Sequence, residues 1–237
     1  MRLPSRAVDL FAALLSPPRC AACDAAVPFL RAFCAACAAT CLPPDDGPVR
    51  ATGAYGGAMA TAISRLKFGG RPDVAVPLGD LLDAAAGALD VDAIVPVPLG
   101  RERLRERGYN QAALLGARVG RARGLPQETS WLRRARESAP QATLGRAARA
   151  RNVAGAFAAS PACRGARVVL VDDVVTTGAT LRAAEEALEE AGARVIGGLA
   201  VAVALLDGDA PEVPLAATRA PSEPARRDAR ALLAHDR

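Results

Sequence analysis

The sequence predicts an α/β fold: a mainly parallel sheet flanked by helices, with a small cysteine-bearing lobe ahead of it. Three observations carry this expectation. "RVVLVDD" from residue 167 leads through a turn into an amphipathic segment at 179–191 and then an apolar run at 194–206, the strand–helix–strand order of a parallel crossover. A further run, "AIVPVPL" at 93–99, is short and apolar, as a buried strand should be. Five of the six cysteines fall within residues 20–41, after which the composition changes. The 237 residues leave room for one mid-sized domain and a small attachment but not for two large unrelated ones.

In chain order, "MRLPSRAVDLFAALLSPPRC" sets Arg2 and Arg6 ahead of an apolar patch. Asp9 interrupts that patch, Pro17 and Pro18 close it, and no small-x-small cleavage site follows. It therefore reads as an amphipathic docking helix rather than a removable signal. "LPPDDGPVR" at 42–50 is a breaker and a domain boundary. Helices are expected around 57–67 and 77–88, a strand at 93–99, and a helix from Asn110 with Ala112, Leu115 and Val119 on one face. A short strand near 129–132, an irregular arginine-rich stretch at 133–152 and a second short strand, "GAFAA", follow.

In the helix expected at 179–191, Leu181, Ala184, Leu188 and Ala191 recur on one face while Glu185, Glu186, Glu189 and Glu190 face out, and Gly192 stops it. Past 207 the chain turns to Asp, Pro, Ala and Arg without apolar periodicity. Three units are thus expected: 1–48, an N-terminal helix with a four-cysteine lobe; 49–206, the larger α/β domain; and 207–237, a disordered or loosely structured tail. Aromatics make up 3% of residues, so the core should be built of small aliphatic side chains. The late run "LAVAVALL" at 199–206 fits a strand, and no stretch approaches the ~20 apolar residues needed to span a bilayer.

The formal net charge of +5 is unevenly spread: residues 101–151 hold thirteen arginines against four glutamates, leaving the rest of the chain net negative. Lysine occurs once, at Lys67. Clustered guanidinium charge points to a polyanionic ligand, either a phosphate compound or nucleic acid.

Cys20-x2-Cys23 and Cys34-x2-Cys37 are two thiolate hooks ten residues apart, the spacing of a tetrahedral four-cysteine structural zinc site. The alternative, a pair of disulfides, is disfavoured by a reducing cytosol. A lobe this poor in large apolar residues depends on its metal to fold. Cys41 is spare, Cys163 reads as a small buried residue, and the lone histidine, His235, has no assigned role.

"VVLVDDVVTTGAT" at 168–180 carries the chemistry. A nucleotide hydrolase would need a Walker lysine followed by Ser or Thr, but Lys67 is followed by Phe68; a dinucleotide fold would need G-x-G-x-x-G, which is absent. What remains is a strand ending in Asp172 and Asp173 at the carboxyl edge of a parallel sheet, where ligands bind. Thr176, Thr177, Gly178, Ala179 and Thr180 then curl into a helix start. Their small side chains let main-chain N–H groups reach a phosphate. Each such bond contributes roughly 1.5–3 kcal/mol against about 0.3–2 kcal/mol for the helix dipole, so the donors dominate. The acids would repel a bare phosphate and should take sugar hydroxyls or a metal instead.

This stretch resembles the phosphoribosyl pyrophosphate (PRPP) signature of type I phosphoribosyltransferases. "AISRLKFGGRPD", "IVPVPLGRERLRERGYNQ" and "SAPQATLGRAARARNVAGAF", in that order behind the paired cysteine hooks, narrow the resemblance to the ComF (ComFC) family over roughly residues 10–206. The resemblance implies a sheet of the type I phosphoribosyltransferase kind behind a zinc-ribbon-like lobe. It also implies PRPP bound with Mg2+, handling of single-stranded DNA during natural transformation, and a competence helicase as partner.

Carried onto this chain, Asp172 and Asp173 would hold the ribose hydroxyls, and Thr176, Thr177, Gly178, Ala179 and Thr180 the 5′-phosphate. Pro98, Leu99, Gly100 and Arg101 would form the pyrophosphate loop, and Arg101 with the two acids would be the catalytic set. Arg107, Gly108, Asn110 and Gln111 match the R-G-F-N-Q pattern, with Tyr109 in place of Phe. Lys67 matches the lysine of L-K-F, and Arg136, Gln141 and Arg149 fall where related transferases have a mobile flap. Gly100 departs from a position commonly basic or histidine, Ser138 replaces Thr, and Gly145 and Ala148 replace polar residues.

Two function classes stay open: a phosphoribosyltransferase of unknown acceptor, and a non-catalytic PRPP- or nucleotide-sensing module that holds single-stranded DNA or a helicase. For the second, the scarcity of aromatics counts against base stacking and favours phosphate contacts. The expected location is the cytoplasm, with a partner bringing the protein to the inner face of the membrane.

Overall fold

The computed structural model describes residues 17–29, 31–44, 49–135 and 155–204. Four parallel strands, β1 (Val49–Ala54), β2 (Ala93–Pro96), β5 (Arg167–Val175) and β6 (Arg194–Val203), form one sheet in the order β1-β6-β5-β2. Beside it β3 (Leu132–Arg134) and β4 (Phe157–Ala159) pair antiparallel. The helices are α1 (Ala35–Ala38), α2 (Gly57–Phe68), α3 (Ala75–Ala86), α4 (Arg101–Arg107), α5 (Gln111–Arg123) and α6 (Ala179–Glu190).

Successive side chains of a strand point to opposite faces, and β5 uses this to join two cores. Val169 and Val171 pack with Met59, Ile63 and Leu66 of α2, Leu78 and Leu82 of α3, and Leu115 and Val119 of α5. Val168 and Leu170 pack with Leu181, Ala184 and Leu188 of α6 and with Leu132 and Phe157 of the small β pair. Cys163 lies fully buried in this second core. The expected aliphatic core is present: among the largest fully buried side chains there is no aromatic one.

The sequence reading and the structure differ in instructive places. β5 does not end at its acids but continues to Val175, because β6 keeps pairing with it (Asp172↔Ala200, Val174↔Ala202, Val175↔Val203). β2 stops at Pro96, opposite Val171, rather than at 99. The tip of β5, from Asp172 to Val175, therefore overhangs the end of β2. The reading also lacked β1 and α4. β1 pairs through small residues such as Ala51 with Ala200, and α4 buries no side chain, so neither shows an apolar period. Glu185 is buried rather than outward: four residues after Leu181, it shares the edge of the apolar stripe. The N-terminal stretch 1–16, most of the arginine-rich stretch 133–152 and the tail from 205 lie outside the described residues. Among the described residues no helix is long and apolar enough to cross a membrane.

The cysteine lobe has no core of its own. Its Val27, Ala32 and Phe33 join the cluster that holds Met59 and Ile63, and it grips α2 at both ends. At the start, Thr40 Oγ1 accepts the Ala58 N–H at 2.9 Å, serving as an N-cap supplied from outside the helix. Gly57 has φ +51°, and a Cβ there would lie 2.3 Å from the Thr40 carbonyl oxygen, so only glycine fits. At the end, Arg65 donates to the Ala22 carbonyl at 2.9 Å and pairs with Asp24, whose other oxygen accepts from Arg71 Nη1 at 3.0 Å. Replacing Thr40→Ala should lower stability by about 1 kcal/mol, the usual value of a lost cap, while Thr40→Ser should retain most of it; urea unfolding of both variants measures the difference.

Candidate functional site

The tip of β5 carries the acid pair, and the two carboxyls have different surroundings. Asp173 is buried and accepts the Lys67 ammonium at 2.8 Å. Asp172 Oδ1 accepts the main-chain N–H of Asp173 at 2.8 Å. Its carboxyl is pushed up to about 7, first by loss of water and then by the charge of Asp173; the Asp173 N–H and the charges of Lys67 and Arg134 act in the opposite sense. Two adjacent acids with one ammonium between them leave the site short of positive charge.

Lys67 is delivered by the last turn of α2, which is fixed from several sides. The Leu66 carbonyl accepts the Tyr109 hydroxyl at 2.7 Å. The Arg107 guanidinium lies 4.8 Å from the Phe68 ring centroid and donates to Gln111 Oε1 at 3.1 Å. Burial lowers the Arg107 value from that of a free guanidinium, while the Asp173 carboxylate opposes the shift. Gln111 is fully buried. Because Arg107 occupies its Oε1, its Nε2 is the donor left over, and among the described residues it has no acceptor.

After β5 the chain bends through Thr176 and Thr177 to Gly178, whose φ of +73° and ψ of −2° are left-handed, a conformation glycine adopts without penalty. None of the main-chain N–H groups of Thr176, Thr177 and Gly178 has a main-chain or side-chain acceptor among the described residues. The Ala179 N–H is engaged at long range by Thr177 Oγ1, 3.4 Å away. Arg182 braces the bend by donating to the Thr177 carbonyl at 3.2 Å. Thr176 is exposed, Thr177 buried and Thr180 half-buried. Three uncommitted N–H groups ahead of a three-turn helix are the kind of donor set that can take an anion.

The turn Pro98, Leu99, Gly100 joins β2 to α4, with Gly100 as N-cap and Arg101 exposed at the first helical position. Asn110 Nδ2 donates to the Val97 carbonyl at 3.0 Å while its Oδ1 caps α5 through the Ala112 N–H at 3.1 Å. One side chain thus starts a helix and ties down the turn. Lys67 and Arg107 act on Asp173 at the β5 tip and Gln111 holds Arg107, Asn110 is tied to Val97 just after β2, and Arg136, Gln141 and Arg149 lie outside the described residues. Sequence reasoning missed Arg134, Arg182, Phe68 and the Arg65–Asp24–Arg71 clamp. No periodicity marks them, because each acts through contacts outside any helical or strand repeat, from Arg182 on Thr177 to Arg65 on Ala22.

In the lobe, the sulfur atoms of Cys20, Cys23, Cys34 and Cys37 all lie within 4.8 Å of one another, and Cys23 Sγ is 3.6 Å from Cys34 Sγ. A tetrahedral four-thiolate zinc site with bonds of ~2.3 Å has sulfur–sulfur edges of roughly 3.8 Å, so a small contraction closes this set around one ion. Burial raises the Cys20 thiol, but N–H groups of Cys34, Cys23 and Ala22 outweigh it and hold the value at about 7. The Cys37 thiol is pushed far above its ordinary range by burial and by the neighbouring sulfurs. Four thiols that cannot all ionise side by side suit a bound metal ion such as zinc, which would neutralise them together. Cys41 stands outside the set.

Asp172 binds its proton more tightly in the folded chain than an exposed aspartate does, so the folded state holds the extra proton between about pH 4 and 7. Stability should therefore fall as pH rises through that window. Asp172→Asn should flatten the decline, which thermal unfolding across pH 4–8 will test. Removing metal with a chelator should accelerate amide exchange across residues 20–41 and α2 while α6 stays protected; unchanged exchange in α2 would contradict the coupling of lobe to helix.

The family profile of the phosphoribosyl transferase domain matches residues 130–217. The DNA utilization protein YhgH of Salmonella typhimurium is 31% identical over 161 residues, 65% of this chain and 71% of that protein. Competence protein F of Haemophilus influenzae is 36% identical over 108 residues, 44% of this chain and 47% of its own. Competence protein ComFC of Bacillus subtilis is 30% identical over 141 residues, 58% of this chain and 56% of its own. Set beside the parallel sheet, the acid-tipped β5 and the four gathered thiols, these matches show that the chain belongs to the ComF family, a phosphoribosyltransferase-like domain behind a four-cysteine lobe.

Proposed function

We propose that this protein binds PRPP with Mg2+ at the tip of β5 and serves the handling of single-stranded DNA during natural transformation. The observation that carries the reading is the juxtaposition of the acid pair with three uncommitted N–H groups at an overhanging strand end. A ligand with vicinal hydroxyls at one place and a phosphate at another matches both. Asp172 and Asp173 take the ribose hydroxyls, and Thr176 to Thr180 take the 5′-phosphate. The 98–101 turn, with Arg101, takes the pyrophosphate. Asp172 and Asp173 would face Mg2+, which would supply positive charge beside a carboxyl that burial and its neighbour Asp173 push up; that shift supports the reading. Zinc in the lobe is structural.

In the enzymatic form of this reading, the bond from ribose C1 to pyrophosphate breaks while an acceptor nucleophile bonds to C1. Such chemistry needs charge stabilisation and positioning more than a dedicated acid or base, which suits a site whose chain has its only histidine at 235. The second reading, a PRPP- or nucleotide-sensing module, is favoured by Gly100, which leaves the middle of the pyrophosphate turn without a side chain. The names of the competence and DNA utilization relatives support the DNA role, with a competence helicase as partner and the cytoplasmic face of the membrane as the place of work.

Calorimetric titration of the zinc-loaded protein with PRPP should show Mg2+-dependent binding that Asp173→Asn weakens by roughly tenfold or more, the loss of one charge-assisted hydrogen bond. Pyrophosphate release separates turnover from sensing, and heats identical in the two proteins would overturn the reading. Affinity for single-stranded DNA should drop steeply between low and physiological salt; a flat response would remove the electrostatic DNA role.

A further inference from the structure

Beside the acid pair stands an aromatic ring that the proposed site does not use. Phe68 closes α2 directly after Lys67 and is 74% exposed. It is nonetheless held in place. The preceding residues are fixed by Lys67 on Asp173 and by the Tyr109 hydroxyl on the Leu66 carbonyl, and Arg107 packs against the ring while itself bonded to Gln111. A ring fixed by its neighbours yet open to water binds a flat partner with little further loss of freedom. The neighbouring α4 has arginine at 101, 103, 105 and 107 against glutamate at 102 and 106, a net positive helix that buries nothing. So cationic a border suits a planar ligand that carries phosphate rather than an apolar protein surface. Only 3% of the chain is aromatic, which excludes a long stacking track but not a single step.

We propose that Phe68, with Arg107, is a stacking subsite for one nucleobase, next to the sugar-phosphate site at the tip of β5. The inference rests on that reading of the tip and adds the class of group that meets the sugar: a heteroaromatic base, brought by a mononucleotide or by a strand of nucleic acid. A base stacks on Phe68 whatever its identity, and the Arg107 guanidinium adds a cationic plane.

The test measures binding of four probes, ribose 5-phosphate, AMP, a short oligodeoxythymidylate and an abasic strand of the same length, to the zinc-loaded parent, Phe68→Ala and Phe68→Trp. The ring's exposure makes both variants safe for folding. Phe68→Ala should weaken AMP, the oligonucleotide or both by roughly ten- to hundredfold and leave ribose 5-phosphate and the abasic strand unchanged, and Phe68→Trp should restore the loss. Sensitivity of AMP alone assigns the base to a mononucleotide, and sensitivity of the oligonucleotide alone to a strand. Equal binding of base-bearing probes by parent and Phe68→Ala, with ribose 5-phosphate still bound, overturns the subsite alone. An equal loss for all four probes also overturns it. A parent that binds no ribose 5-phosphate overturns the sugar-phosphate reading and the subsite with it.

Discussion

One helical turn constrains the rest of this molecule. Arg65, Leu66, Lys67 and Phe68 are consecutive, and each engages a different part of the chain: the cysteine lobe through Asp24, the loop after α4 through Tyr109, the β5 tip through Asp173, and Arg107 through the aromatic ring. Residues in one turn of an α-helix cannot be displaced independently. The lobe, the basic loop and the acidic strand end are therefore registered against one another by a segment about 6 Å long at 1.5 Å per residue. The Lys67–Asp173 bridge is the contact in this set that reaches the chemistry.

The choice of lysine there is informative in a chain that otherwise uses arginine. An ammonium is a compact point charge, while a guanidinium is a planar fork that favours bidentate pairing. Beside two adjacent acids, a compact cation satisfies one carboxylate and leaves the second open to an incoming ligand. The Asp172 value of about 7 expresses the same shortage of charge, and it coincides with the cluster of uncommitted donors in the following bend. Electrostatics and hydrogen bonding thus leave complementary requirements, for a cation and for an anion, at adjacent points.

What the sequence made legible was local. The βαβ unit, the aliphatic core, the helix begun by Asn110 and the thiol spacing could each be read because a short repeat or a short spacing encodes them. The strand end was misjudged because Asp172 and Asp173 look like a terminus, while the continued pairing of Asp172 with Ala200 and of Val174 with Ala202 depends on a strand some thirty residues on. α4 escaped because a helix that buries nothing has no stripe to detect. Of the residues identified by motif, Lys67 and Arg107 stand with the acid pair, yet what holds the site in place, Tyr109 on Leu66, Arg182 on Thr177 and Arg65 on the Ala22 carbonyl, joins positions from five to over forty apart. Such contacts have no signature in a single sequence.

The shared packing of Phe33 and Val27 with Met59 and Ile63 bears on how the two parts of this chain can evolve and be engineered. A lobe that completes its neighbour's interior is not an interchangeable cassette. Severed at the natural-looking break before residue 49, the sheet-bearing part would show water an oily wall and tend to self-associate. Recombination between relatives should therefore inherit lobe and helix together, as one unit of descent.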